Sequence, residues 1–268
     1  MKTEHLSKLL NWFEGKNGVL VALSGGVDSA LVAYSAYAKL GKSAIAVTAD
    51  YKTLAQEELE YAKKISSEIG IKHIVIEYNE LDNESFVKND NNRCFYCRSE
   101  LSEHLLEIAK EFGSDMIVDG TNIDDLGDYR PGVLALRENG IRSPLAETKF
   151  SKKMVRETAK SVGLSVYDKP SNSCLASRIP WGQSVTAERL ARIEIGEKIV
   201  KQLTGAKQVR VRDMNGIAKI EVGVDELSLL ENNTVLQKIK DQLKLISFED
   251  VSIDPEGYRP GKINVITN

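Results

Sequence analysis

Gly18-Val19-Leu20-Val21-Ala22-Leu23-Ser24-Gly25-Gly26-Val27-Asp28-Ser29 is the stretch that decides the fold. Val19 to Leu23 is apolar on every side, as a strand covered on both faces by helices must be. The hexapeptide Ser24 to Ser29 follows without a spacer. Ala30 to Leu40 then repeats Leu31, Tyr34 and Ala38 on one helical face. A strand, a glycine turn and a helix start together predict an anion site. N–H groups at the helix start point at the ligand, the helix dipole favours negative charge, and glycines let the backbone come close.

Working outward, the chain alternates. A short helix over 3–13, with Leu6, Leu9, Leu10 and Phe13 on one face, precedes the stretch. Ser43–Thr48 is a second strand ending near Ala49-Asp50. Leu59, Ala62, Ile65 and Ile69 mark a helix capped by Gly70, and His73–Tyr78 is a third strand. The polar, turn-rich residues 79–93 predict a mobile loop. Cys94 to Phe112 reads as a helix, and Asp115–Val118 as a fourth strand running into Asp119-Gly120-Thr121-Asn122. This β-α-β-α-β order predicts an α/β fold, a doubly wound and mostly parallel sheet over residues 1–180. Ligands of such sheets sit beyond the C-terminal strand ends, where Ser24, Asp50 and the 119–125 loop fall.

Ser151–Gly163 is a further helix with Ser151 as its cap. Residues 164–185 are irregular and mark the domain boundary. Beyond them, 186–268 predict a smaller α+β domain: a helix from Ala187 to Leu203 capped by Thr186, a hairpin turning at Met214-Asn215-Gly216, a helix around Leu236 to Ile246, and a last strand over 249–254.

Hydrophobic residues make up 42% of the 268, enough for a core of ordinary size. No apolar run approaches the roughly 20 residues of a membrane span, and the N-terminus carries no signal-peptide core, so a cytoplasmic protein is expected. The net charge of −3 argues against a nucleic-acid partner. Three cysteines do not make a disulfide framework.

The hexapeptide is neither a Walker motif nor a dinucleotide fingerprint, since Gly-Lys-Ser/Thr and Gly-x-Gly-x-x-Gly are both missing. It resembles the pyrophosphate loop, or PP-loop, of the N-type ATP pyrophosphatases, whose fold is of the adenine nucleotide alpha hydrolase type. Those enzymes split ATP into AMP and pyrophosphate and activate an acceptor by adenylation. Asp119-Gly120-Thr121-Asn122 is similar to the second nucleotide loop of NAD synthetase-like members, with a plain Asp/Asn turn as the other reading. Pro144-Leu145 followed by Lys153-Met154-Val155-Arg156 resembles a segment of GMP- and NAD-synthesising relatives. The resemblance assigns ATP to Ser24, Gly25, Gly26, Asp28, Ser29, Asp50 and Gly120, with Asp28 also catalytic in holding Mg²⁺ and pyrophosphate oxygens.

The order of further motifs narrows the family. Asp128-Tyr129-Arg130-Pro131-Gly132, the segment from Ser173 to Gly182, Val209-Arg210-Val211-Arg212 and Tyr258-Arg259-Pro260-Gly261-Lys262 together resemble the LarE family. These are ATP-dependent sulfur transferases of nickel-pincer nucleotide synthesis. The likeness covers nearly the whole chain. It implies a pyridinium dicarboxylate mononucleotide as substrate, adenylated and then attacked by sulfur, and a homo-oligomeric assembly. Arg210 and Arg212 alternate along a strand, which puts both on one face. Alone they read as a solvated face; the resemblance assigns them, with Ser177 and Arg178, to the substrate. Glu221 is open between a metal ligand and an ion-pair partner.

Cys174 matches the cysteine that sacrificial members consume. Cys94-Phe95-Tyr96-Cys97 is a departure, since a single-cysteine mechanism has no use for it. Buried thiols, zinc and an iron–sulfur cluster are the three readings, and the three histidines match no familiar zinc spacing. The resemblance to the cluster-dependent branch implies a 4Fe–4S cluster on Cys94, Cys97 and Cys174, with one iron left to bind sulfide from an external source. It also implies that the 79–97 segment folds over the site toward Cys174. A cluster-dependent tRNA thiolase and sacrificial transfer from Cys174 are the alternatives.

Overall fold

The computed structural model describes residues 2–127 and 130–259. The chain separates into two compact units. The first holds residues 1–79 and 92–172, and the second holds 80–91 and 173–268. The chain thus changes unit after residue 172, and 80–91 is an excursion of the first half into the second unit.

In the first unit α1 (Lys2–Trp12) leads into β1 (Val19–Ala22). There follow α2 (Val27–Leu40), β2 (Ala44–Tyr51), α3 (Gln56–Ile69) and β3 (Lys72–Tyr78). α2 starts three residues earlier than the apolar repeat suggests, because Gly26 is its N-cap. This draws Asp28 into the first helical turn. α3 ends at Gly70 in the left-handed conformation, the stop that glycine supplies without a Cβ clash. The four-stranded sheet is parallel throughout, in the order β3-β2-β1-β4, with β4 at Met116–Val118. The strand order reverses between β1 and β4, so the switch point lies beside the end of β1. One helical layer packs Leu31, Val27, Ile65 and Val155 on one face of the sheet. The other packs Leu101, Leu105 and Leu136 on the opposite face.

Residues 79–93 correct one expectation. Instead of a mobile loop they form a helical turn at Glu80–Asp82 and a short helix α4 (Glu84–Val87) capped by Asn83. Phe86 is 1% exposed and Asn89 is fully buried. Asn89 takes a positive φ, and its amide donates to the carbonyls of Pro180 and Gln183 at 2.9 and 2.8 Å. A polar sequence is ordered here because the Asn89 side chain and the Val87 and Asn89 carbonyls serve as partners for the irregular 173–185 backbone, the carbonyls accepting from Val185 N and Gly182 N.

The first unit resumes with α5 (Arg93–Glu111), β4, α6 (Pro131–Glu138), α7 (Pro144–Glu147) and α8 (Lys152–Ser161). The proline starts of α6 and α7 suit N1, where no N–H is needed. Ser151 caps α8 as expected, its hydroxyl accepting from Met154 N at 3.4 Å.

In the second unit α9 (Ala187–Thr204), capped by Thr186, covers a sheet of β5 (Val209–Met214), β6 (Ile217–Val222) and β7 (Asp250–Ile253), with α10 (Asn233–Leu245) before β7. β5 and β6 are the expected hairpin, turning through Asn215 and Gly216, both at positive φ. β7 adds to β6 in parallel. No described helix is long and apolar enough to cross a membrane.

Candidate functional site

The switch point of the first unit is built from backbone. Ser29 closes the loop on itself: its hydroxyl accepts from Ser24 N at 3.1 Å and donates to the Gly26 carbonyl at 3.2 Å. Gly25 sits at φ +77°, and a Cβ there would lie 2.3 Å from the Glu58 carbonyl of α3. Gly120, across the switch point, would place a Cβ 2.6 Å from Ser29 N. Both glycines are steric necessities: Gly25 lets the loop lie against α3, and Gly120 lets the turn after β4 lie against the first turn of α2. Asp50 lies inside β2, half-buried and opposite Glu77, because the strand runs on to Tyr51.

Polar side chains surround this turn. The Asp28 carboxylate accepts from Asn122 Nδ2 at 3.1 Å and pairs with the Lys152 ammonium. Asn122 in turn caps the helical turn Ile123–Leu126. Asp119, 6% exposed, accepts from Thr121 and from Ser143 Oγ at 2.7 Å. Burial pushes its carboxyl above the usual range, while the bonds from Thr121 and Ser143 pull the other way. Lys169 binds the Gly25 carbonyl at 3.0 Å and pairs with Glu58, so the segment after α8 is tied to the loop within the first unit. Asn122, Lys152 and Lys169 were not singled out by sequence. Asn122 had a signal in Asp-Gly-Thr-Asn, whereas Lys152 stands beside Lys153, to which the motif likeness pointed.

The second unit holds a buried arginine centre. Arg178, fully buried, reaches Glu197 through Nε at 2.8 Å and spreads Nη1 over the Ser173 carbonyl, the Cys174 carbonyl and Ser177 Oγ at 2.7 to 3.0 Å. Burial works against its charge, but Glu197, with Cys174 and Tyr258 assisting, leaves its pKa raised. Arg212 grips Glu221 with two bonds of 2.6 and 2.7 Å and donates to the Ser177 carbonyl at 3.1 Å. The structure therefore makes Glu221 an ion-pair partner. Arg210 lies 5.0 Å over the Tyr258 ring. Its pKa is lowered, first by burial and then by the neighbouring Arg178 charge, with Arg212 adding to it. A solvated face is excluded for this pair: Arg210 is 4% and Arg212 8% exposed. Arg178 serves the turn that carries Cys174, whereas Arg210 donates to the Val209 carbonyl at 2.7 Å and feels the Arg178 and Arg212 charges as well as that of Glu197.

Residues 18–94 match the family of the queuosine biosynthesis protein QueC. Over 92% of its length the chain is 33% identical to the pyridinium-3,5-bisthiocarboxylic acid mononucleotide synthase of Lactiplantibacillus plantarum, spanning 88% of that protein. The chain belongs to the LarE family. An uncharacterized protein of Synechocystis sp. is 40% identical over 98% of both chains. The tRNA-specific 2-thiouridylase MnmA of Rickettsia typhi is 27% identical over 57% of this chain and 52% of its own.

Within this LarE family member none of the three cysteines is in a disulfide. Cys94, exposed, and Cys97, buried, stand in the first turns of α5, three residues apart and so on one helical face. The guanidinium of Arg93 is 3.8 Å from Cys94 Sγ. Gly132 lets α6 lie against this turn, since a Cβ would meet Arg98 Cγ at 3.0 Å and the Cys94 carbonyl at 3.2 Å. Cys174, half-buried in the second unit, caps the helical turn Leu175–Arg178. Among the described residues no group of three His, Cys, Asp or Glu is arranged to hold a metal ion. Asp128, Tyr129, Pro260, Gly261 and Lys262 of the family motifs lie outside the described residues.

Proposed function

We propose that this protein is an AMP-forming, ATP-dependent sulfurtransferase acting on pyridinium-3,5-biscarboxylic acid mononucleotide. The observation that carries the reading is buried positive charge gathered at the turn that carries Cys174. Arg178 and Arg212 both bind that turn and are paired with Glu197 and Glu221, and the buried Arg210 stands beside Arg212 on β5. A phosphate monoester entering there relieves Arg210 of its like-charged neighbours and brings its pyridinium ring beside the thiol turn.

ATP binds the loop from Ser24 to Ser29, with Asp50 and Gly120 flanking it. Asp28 fits a Mg²⁺ ion: one partly exposed carboxylate suits a metal that takes one or two carboxylates and its remaining ligands from phosphates and water. A carboxylate oxygen of the substrate attacks the α-phosphorus, and the bond to pyrophosphate breaks. Sulfide then attacks the acyl carbon, AMP leaves with the bonding electrons, and a thiocarboxylate remains. A second round converts the other carboxylate.

The donor set suits a 4Fe–4S cluster in its chemistry, with soft thiolates, two of them on one face of α5 and Cys174 as the third. Such a cluster supplies a place to hold sulfide from an external source. The reading includes a cytoplasmic homo-oligomer. The acidic charge balance and the shorter reach of the MnmA likeness favour it over a tRNA thiolase.

The test is anaerobic reconstitution with iron and sulfide, followed by assay of pyrophosphate release and thiocarboxylate product. Several products per chain are expected, with Cys174 intact by mass spectrometry. Cys94→Ala and Cys97→Ala should lose the iron and the repeated turnover. One product per chain with loss of the Cys174 sulfur would establish the sacrificial route instead. Pyrophosphate release only with tRNA would establish the thiolase.

A further inference from the structure

We propose that His73 is a positioning residue for the nucleotide loop: it begins a one-way chain of hydrogen bonds that runs through Thr48 and the Leu23–Ser24 peptide to Ser29 and holds the loop in its phosphate-binding shape. The inference rests on the reading above, in which ATP binds that loop.

His73 and Thr48 share a face of the sheet. His73 lies opposite Ala46 in the pairing of β2 with β3, and Thr48 is two residues further along β2. Thr48 Oγ1 stands 2.6 Å from the Leu23 carbonyl oxygen and 2.7 Å from His73 Nε2. A hydroxyl has one proton and a carbonyl only accepts, so that proton goes to Leu23. Thr48 must then accept from the ring, which puts the His73 proton on Nε2. Burial, and next the Lys63 ammonium, hold the His73 pKa below its usual value, so the ring is neutral at neutral pH and its other nitrogen carries no proton.

The chain continues past Leu23. The peptide that carries this carbonyl ends in the Ser24 N–H, which donates to Ser29 Oγ at 3.1 Å, and Ser29 Oγ donates in turn to the Gly26 carbonyl at 3.2 Å. Every donor therefore points the same way, from β3 to the N-cap of α2. Bonds aligned head to tail polarise one another, and the Leu23–Ser24 peptide is held at both its oxygen and its N–H. Such a hold is needed at this place. Leu23 N still bonds the Val47 carbonyl at 2.8 Å, as a strand residue does, and beyond it the main chain leaves the sheet to make the loop. Thr48, 2% exposed, fixes the angle at which it leaves, and His73 fixes Thr48. For packing alone an aliphatic residue would serve at 73, as it does at Ile74, Val75 and Ile76 of the same strand. His73 gives no proton to the reaction and acts through the loop.

The experiment compares His73→Leu, His73→Gln and Thr48→Val, alone and combined with Ser29→Ala, by pyrophosphate release with the dicarboxylate mononucleotide. His73→Leu should lower kcat by about tenfold, the worth of one neutral hydrogen bond, and Thr48→Val by at least as much. His73→Gln should recover most of the loss, because its amide N–H falls near the place of Nε2–H. With Ser29→Ala the chain is already cut, so His73→Leu should cost less than about twofold there, whereas a purely structural role would cost the same in both backgrounds. A second arm reads the chain itself. In protein labelled with ¹⁵N-histidine, NMR should find the His73 proton on Nε2, and magnesium pyrophosphate should shift that signal while leaving the one from His5 of α1 in place. A His73 proton on Nδ1, a His73 signal that bound pyrophosphate does not move, or an equal cost of His73→Leu with and without Ser29→Ala overturns the proposal. If the parent binds pyrophosphate and releases none from ATP with this mononucleotide, the substrate reading alone falls, and the NMR titration still decides on His73.

Discussion

The two regions proposed to bind anions are made of different materials. At the switch point of the first unit the surface is main chain: the first turn of α2, packed closely by the flanking turns because Gly25 and Gly120 have no Cβ. In the second unit it is side chain: guanidinium groups brought to one place by β5 and by the turn after Cys174. A backbone site is fixed by shape and carries little charge of its own. A guanidinium site is fixed by ion pairs, and its charges must be balanced by buried carboxylates or by a ligand. The two regions should therefore fail in opposite ways when altered.

The largest effect is expected at Gly120. A methyl group there lies 2.6 Å from Ser29 N and 3.0 Å from Ser29 Cα, both backbone atoms that cannot swing aside. Overpacking of this kind costs about 1–3 kcal/mol, and a shift of about 1 Å at the phosphate-binding turn costs about 10² in rate. Gly120→Ala should thus lose pyrophosphate release far more than stability, read by comparing kcat with a urea melt. At Gly26 a Cβ meets only Ser24 Oγ, at 3.5 Å, so Gly26→Ala should fold with unchanged stability. Equal melts and equal rates for Gly120→Ala and the parent would mean that shape does not govern this end.

In the arginine centre the order reverses. Arg178→Ala leaves Glu197 buried without its guanidinium and should destabilise by about 3–5 kcal/mol. Arg210→Ala removes a charge crowded by Arg178 and Arg212 and should leave stability equal or higher, while raising KM for the mononucleotide at least tenfold. Thermal melts with and without inorganic phosphate separate the two. Phosphate should stabilise the parent and not Arg210→Ala. Should Arg210→Ala melt as early as Arg178→Ala, the centre is a structural ion network and the contrast with the glycine site collapses.

How much of this was legible in the chain follows the same division. The loop could be read because its chemistry lies in six consecutive residues, and local sequence dictates a strand, a turn and a helix start. The parallel sheet and the Asn215-Gly216 hairpin could be read for the same reason. The pairings Arg178–Glu197 and Arg212–Glu221 span 19 and 9 residues. No periodicity marks them, and an alternating Arg pair looks the same whether it faces water or a core. Residues 79–93 misled for a related reason: Asn-rich composition suggests solvent, yet Asn89 is buried as the hydrogen-bond partner of a distant backbone. Lys152 was hidden although its cap at Ser151 was legible, since its partner Asp28 lies 124 residues away and no local pattern marks the pair.

The smallest expected effect concerns acid, and it can be read unit by unit because the chain's two tryptophans, Trp12 and Trp181, fall one in each unit. Trp12 Nε1 donates to Glu147 at 2.9 Å, and the same carboxylate accepts from Arg142 Nε at 2.8 Å. The Arg142 bond holds the Glu147 carboxyl below its usual range, with burial opposing and Trp12 assisting. A carboxyl whose folded pKa is depressed contributes stability that is present above the unfolded value, 4.5, and is lost as pH falls through the folded one. Both partners are more than a third exposed, so the contribution is small and screened by salt. In a Trp181→Phe background, where fluorescence reports the first unit, Glu147→Gln should melt slightly below its parent at neutral pH. The gap should narrow in high salt and close in acid below pH 4.5. A gap that persists in acid would assign the loss to the Trp12 hydrogen bond, a neutral contact that the amide has failed to reproduce, and would remove charge from the account of the first unit altogether.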